Sequence, residues 1–223
     1  MTEFIKPIGP IKPILFETLT KINPENILST VLKFACIFLF YLAMYKISKI
    51  VIGKTPGYNK ESKTIPIYHC ISIVLVSILL IVFGWSMELL KGIILLQILL
   101  YASVSDIQTH EVKDFISVLI LITGFIGVTL SDIPMMILSS LFIGGMLFVC
   151  AVVSENRLGG ADVKLSAASA FLLGFLKSIA GLVIGLFLAI ICNIYFSHKN
   201  ETKGKAFPLV PYLSIGFMAM YFI

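Results

Sequence analysis

Charge is what this chain has least of. Only 13% of its 223 residues are Asp, Glu, Lys or Arg, against roughly 25% in a soluble domain. That leaves too little polar surface to cover a water-facing protein. Arginine is nearly absent: Arg157 stands alone beside 16 lysines. No surface of interleaved basic and aromatic residues remains outside the apolar runs, so nucleic acid is excluded as a partner despite the net charge of +5. The four cysteines, Cys36, Cys70, Cys150 and Cys192, form no CxxC pair, and His69, His110 and His198 form no HExxH motif. Zinc-type spacing is therefore missing, and no metal or cofactor is expected. The cysteines read as small, buried apolar residues.

What is present is hydrocarbon. Apolar residues make up 58% of the chain and the mean hydropathy is +1.02, which excludes disorder and makes the solvent lipid. A membrane helix takes about 20 apolar residues, so the fold class is all-α, a polytopic helix bundle of about eight transmembrane spans. A polar tail is expected at 1–28, two N-terminal spans at 29–86 and a six-span core at 87–223. The spans fall near 27–52, 67–83, 87–105, 115–130, 135–153, 165–173, 178–196 and 207–222. The sixth is too short to cross unless it extends back through Gly159–Lys164 or the bilayer thins. Gly84, Trp85 and Ser86 predict one tight turn; Gly174 and Lys177 predict another. Eleven of the 17 basic residues lie on one side if the loop at 53–66 is cytoplasmic. The loops at 106–114, 154–164 and 197–206 are then cytoplasmic too, and both termini lie outside. The location is the cell membrane.

Against this background two acids stand out. Asp106 closes the third span and Asp162 opens the sixth, both at the cytoplasmic face. Acids at membrane segments are costly and usually functional; the bland alternative is two solvated carboxylates, with Asp162 capping its helix. Gly159, Gly160 and Ala161 precede Asp162 and permit close approach of an extended peptide backbone. The small residues of Leu165–Ala170 allow tight helix packing in lipid, which would bring Asp162 against the end of the third span. Two carboxyls sharing one proton can hydrolyse a peptide without a metal: the ionised one activates water and the neutral one polarises the carbonyl.

These residues resemble the type IV prepilin peptidases and archaeal preflagellin peptidases. The similarity rests on Asp106 with Val112 six residues on, and on Gly159-Gly160-Ala161-Asp162-Val163-Lys164-Leu165. It extends to Pro208-Leu209-Val210-Pro211-Tyr212-Leu213, and covers about residues 88–223. Ala161 matches the relaxed archaeal form of a Gly-x-Gly-Asp motif. The resemblance implies an intramembrane aspartic endopeptidase with Asp106 and Asp162 as its catalytic pair. Its substrate would be a pilin-like or flagellin-like precursor, cut after a short basic leader and just before an apolar helix. Where the first motif usually continues Ile/Val-Pro-Asn, this chain has Val112-Lys113-Asp114. The cytoplasmic insert with two CxxC pairs found in methylating relatives is missing, which implies peptidase activity without N-methyltransferase activity.

Smaller features leave alternatives open. Glu111, Asp114 and Glu155 either receive a basic leader or are solvated loop acids. Lys164 either biases the ionisation of Asp162 or anchors its helix at the interface. Gly181-x-x-x-Gly185 is either an internal helix contact or a dimerisation face. Gln97 predicts an interhelical hydrogen bond. The competing function is a small proton-coupled transporter using the same two acids, but these lie at span ends rather than mid-membrane. A structural protein without chemistry is the third reading. Enzymes of the signal-peptide-peptidase type share the Gly-x-Gly-Asp element but place Tyr before the first acid; here Ser105 does.

Overall fold

The structure is a computed structural model, and it describes residues 34–35, 38–43, 45–47, 49–50, 64–153, 159–200 and 207–223. The tail at 1–28, the loop residues 53–63, Glu155, Arg157 and the loop residues 201–206 lie outside the described residues. Those described between 34 and 50 are helical. Seven further helices follow: α1 (Thr64–Phe83), α2 (Met87–Thr109), α3 (Phe115–Gly124), α4 (Ile133–Val153), α5 (Gly160–Leu173), α6 (Phe175–Asn200) and α7 (Val210–Phe222). No strand occurs among the described residues.

Among the described residues three segments, Met87–Thr109, Ile133–Val153 and Phe175–Tyr195, are long and apolar enough to cross a membrane. The outer faces of α4 and α6 carry exposed Leu141, Phe148, Phe187 and Ile194, a surface that suits lipid and not water. The chain is a membrane helix bundle. The helices α3, α5 and α7 are short, whereas α1 has 20 residues. At 1.5 Å per residue, α3 with its 10 residues is about 15 Å long. On the same basis, the 14 residues of α5 and the 13 of α7 give about 20 Å each.

Local chemistry sets these limits. Gly84 has φ +55°, and Ser86 Oγ accepts the Leu89 N–H to cap α2; the turn at 84–86 is as the sequence predicts. The α2 helix ends at His110, whose left-handed backbone (φ 53°) returns its N–H to the Asp106 carbonyl. The fourth span was expected to reach Leu130 but stops at Gly124. Phe125 and Ile126 donate to the carbonyls of Ile122 and Thr123 in a tightened last turn, and Gly127 turns the chain at φ +70°. The α5 helix does extend back to Gly160. It ends at Gly174 (φ 79°), and α6 starts at the next residue. The expected turn through Lys177 is therefore a single glycine, with Lys177 inside α6.

The α2 helix is the centre of the bundle: 72% of its apolar window is buried, against 28% for α4 and for α6. It packs on α1, α3 and α7; α5 packs on α3, α4, α6 and α7. Gln97 accepts from Tyr68 Oη (2.7 Å) and donates to Ser72 Oγ (2.6 Å), the interhelical bond the sequence predicts. The Gly181/Gly185 pair is an internal contact. A Cβ on Gly185 would lie 2.9 Å from Leu213 Cα, and one on Gly181 3.1 Å from the Gly216 carbonyl oxygen. Cys70 and Cys150 are exposed on the outside of the bundle, not buried as expected, because lipid accepts a thiol on a helix face as readily as a packed core does.

Candidate active site

Asp106 sits in the last turn of α2 and is only 8% exposed. Its partner comes from the far end of the sequence. Oδ2 accepts the backbone N–H of Val210 at 3.0 Å, and the Leu209 backbone lies close to the same carboxyl. Val210 is the first residue of α7 and Pro211 the second. Proline suits this position because the first N–H groups of a helix have no carbonyl to pair with. Those free N–H groups, aligned with the helix dipole, make a ready donor site for a carboxylate. Ser103 Oγ and Ser214 Oγ, 3.1 Å apart, tie the same two helices one turn deeper.

Asp162 stands in the first turn of α5, partly buried, ahead of the apolar stretch that begins at Leu165. Burial pushes its carboxyl up to about 6; the Asp106 charge adds to the shift and a backbone hydrogen bond from Gly159 opposes it. The two acids are thus in each other's field. They are brought there differently from the expected route. The small face of α5 packs on α4, where a Cβ on Gly144 would lie 2.9 Å from Ala167 Cβ and Ser139 Oγ donates to the Ala170 carbonyl. The helices α2 and α5 meet mainly through their shared neighbours α3 and α7.

The glycines before Asp162 differ. A Cβ on Gly159 would lie 3.0 Å from Asp162 Oδ2, whereas one on Gly160 would meet nothing within 4 Å. The first glycine leaves room for the carboxyl; the second faces open space. Ala161 is partly buried.

The loop after Asp106 is pinned by hydroxyls. Ser105 Oγ donates to the Glu111 carbonyl at 2.8 Å; Thr109 Oγ1 donates to the carbonyls of Ser105 (2.8 Å) and Glu111 (3.2 Å). Val112 packs against the core, while the Glu111 side chain is exposed. Asp114 is also exposed, and Lys164 Nζ holds it at 2.8 Å. That ion pair joins the loop before α3 to the first turn of α5, a role for Lys164 distinct from both alternatives raised by the sequence. Sequence reasoning also missed the link between Asp106 and the Val210 N–H. Its one signal was Pro211, which marks a helix start without saying what that start faces.

Residues 93–195 match the family model of the type IV leader peptidase family. The match includes both acids and leaves α1 and α7 outside it. No curated protein and no solved structure matches the chain.

Proposed function

We propose that this chain, which matches the type IV leader peptidase family over residues 93–195, is an intramembrane aspartic endopeptidase with Asp106 and Asp162 as its dyad. It removes a short basic leader from pilin-like or flagellin-like precursors at the cytoplasmic membrane face. It does so without N-methyltransferase activity, within an eight-span topology whose termini both lie outside. The observation that carries the reading is that Asp106, at the end of α2, lies near enough to the start of α5 for its charge to raise the Asp162 carboxyl.

The chemistry follows from how each acid is held. Asp106 already accepts an N–H on Oδ2 and suits the ionised, acceptor-only role. Asp162 holds a proton more readily than an ordinary carboxyl and suits the neutral role. Asp106 takes a proton from a water molecule as its oxygen attacks the scissile carbonyl carbon. Asp162 donates its proton to the carbonyl oxygen. Collapse of the tetrahedral intermediate breaks the C–N bond, and the leaving amine takes up a proton from the pair. The apparent pKa values belong to the dyad and not to either residue. Exposed Glu111 stands at the same rim and is suited to a basic leader, as is Glu155 from its sequence position; Asp114 is shared with Lys164.

The test is cleavage of a tagged flagellin-like and a tagged pilin-like precursor by wild type, Asp106→Asn and Asp162→Asn. Each substitution is expected to lower kcat by at least about 10³-fold, as for other groups that act as one catalytic unit. Unimpaired cleavage by either variant rejects the dyad.

A further inference from the structure

An open groove of about 420 Å³ runs along the side of the bundle between α1, α2 and α7. Its walls are apolar, with Ile71 and Leu75 from α1, Leu100 and Ile107 from α2, and Pro211 and Ile215 from α7. Its hydroxyls are turned inward. Tyr68 Oη donates to Gln97, and Ser103 and Ser214 bond to each other and to the Leu99 carbonyl. One end of the groove lies beside the segment that carries Asp106. Ile107 directly follows Asp106, and Pro211 directly follows Val210, whose N–H binds Asp106. Along α2 the lining runs from Leu96 to Ile107, about 16 Å or three helical turns at 1.5 Å per residue.

We propose that this groove seats the first three turns of the precursor's apolar helix, the segment immediately after the scissile bond. The inference rests on the leader-peptidase reading above and names where that substrate lies. A peptide cut beside Asp106 must continue along a surface that begins at the last turn of α2, and the groove is a continuous apolar surface starting there. Ser103 and Ser214 meet at 3.1 Å in its lining. Small side chains of this kind let helices approach closely in lipid, where packing and not hydrophobicity drives association. An acyl chain needs no such floor. The α1 wall lies outside residues 93–195, so the N-terminal part of the chain acquires a role of its own, forming the second side of a helix-in-groove site.

The test places a photoreactive benzoylphenylalanine at Ile71 or Ile215, both exposed groove residues, or at exposed Val149 on α4 as a control. The protein in membranes is then illuminated with a flagellin-like or pilin-like precursor. Crosslinks to the precursor helix are expected from positions 71 and 215 and not from 149. In parallel, Ile71→Trp and Ile215→Trp should raise the KM for the precursor at least about tenfold with kcat within about threefold, since the contact is equal in ground and transition states. Wild-type cleavage with crosslinks only to lipid or within the chain, or with KM unchanged in both variants, overturns the groove and leaves the peptidase reading standing. Crosslinks at 71 and 215 without cleavage by wild type overturn the peptidase reading instead.

Discussion

The two glycines before Asp162 make the sharpest test of how the site is built. Both have negative φ; Gly159 sits at φ −66°, ψ 136°, so alanine fits the backbone at either position. What separates them is space. At Gly159 the added methyl would stand 3.0 Å from Asp162 Oδ2 and 3.7 Å from Cγ; at Gly160 it meets nothing within 4 Å. The Asp162 carboxyl must then yield by a few tenths of an ångström. A misplacement of about 1 Å at a reacting group costs roughly 10²-fold in rate. The expected loss for Gly159→Ala is therefore about 3- to 10-fold in kcat. Gly160→Ala should cleave at the wild-type rate and gain helix propensity at the start of α5.

The assay is the initial rate of leader removal in detergent, with thermal unfolding of each variant measured alongside. The comparison separates two uses of the glycines. If they serve to admit a substrate backbone, the open position at Gly160 is the one a methyl obstructs. If the first makes room for the carboxyl, only Gly159 is sensitive. A Gly159→Ala enzyme at the wild-type rate, or a Gly160→Ala enzyme as slow as Gly159→Ala, refutes the steric reasoning.

Three further outcomes are expected. Asp162 has a folded pKa raised to about 6, by burial first and the Asp106 charge second. The native state therefore binds more protons than the unfolded chain between the ordinary carboxyl value near 4 and about 6, and stability falls as pH rises through that window. Asp162→Asn should raise the melting temperature relative to wild type at pH 7.5, with the difference gone at pH 3.5; equal melting at both pH values contradicts the shift. Gly216→Ala would drive a methyl into the Gly181 carbonyl and the Gly185 backbone, an overpacking cost of at least about 1–3 kcal/mol. Its unfolding in detergent should show that loss, while Gly145→Ala, with nothing within 4 Å, melts as wild type. Gln97→Leu removes the bonds to Tyr68 Oη and Ser72 Oγ inside the bundle, and urea titration should find it about 1–3 kcal/mol less stable.

What could be read from the chain alone was whatever depends on composition and local order. Low charge gave the membrane class, and Gly84 and Ser86 gave a turn and cap that the bundle keeps. Gln97 could be assigned a helix partner because a buried amide in lipid must find one. The early end of α3 was hidden. Residues 115–130 are apolar almost throughout, and hydropathy does not register a last turn tightening at Thr123 or a positive φ at Gly127. The site was legible as residue types and opaque as contacts. Asp106 and Asp162 are visible as acids out of place. That Asp106 is held by Val210, 104 positions away, depends on α7 folding back against α2, which no local pattern encodes. The Lys164–Asp114 pair, 50 positions apart, is of the same kind. It is an exposed ion pair worth about 0–1 kcal/mol, so its meaning lies in joining the loop before α3 to α5 and not in stability.

The short helices bear on how hydrolysis can run in such a molecule. Water has to reach a peptide bond at the edge of an apolar bundle. Of the helices that frame the two acids, α3, α5 and α7 have 10, 14 and 13 residues, or about 15–20 Å each. A hydrocarbon core is about 30 Å thick. Helices this short stop inside it or draw the bilayer thinner around them. Both acids stand at the same rim of these short helices, Asp162 in the first turn of α5 and Asp106 against the first residue of α7. The long helices α4 and α6, with 21 and 26 residues, pack behind α5 and can keep the full thickness on the opposite side. The two sides of α5 thus differ in depth, with α4 and α6 long on one and α3 and α7 short on the other. On the shorter side a carboxyl pair can meet water while the neighbouring groove stays apolar. On the function proposed above, a peptide bond placed where an apolar helix begins would fit such a profile, its polar side facing the thinned rim and its apolar side the bundle wall.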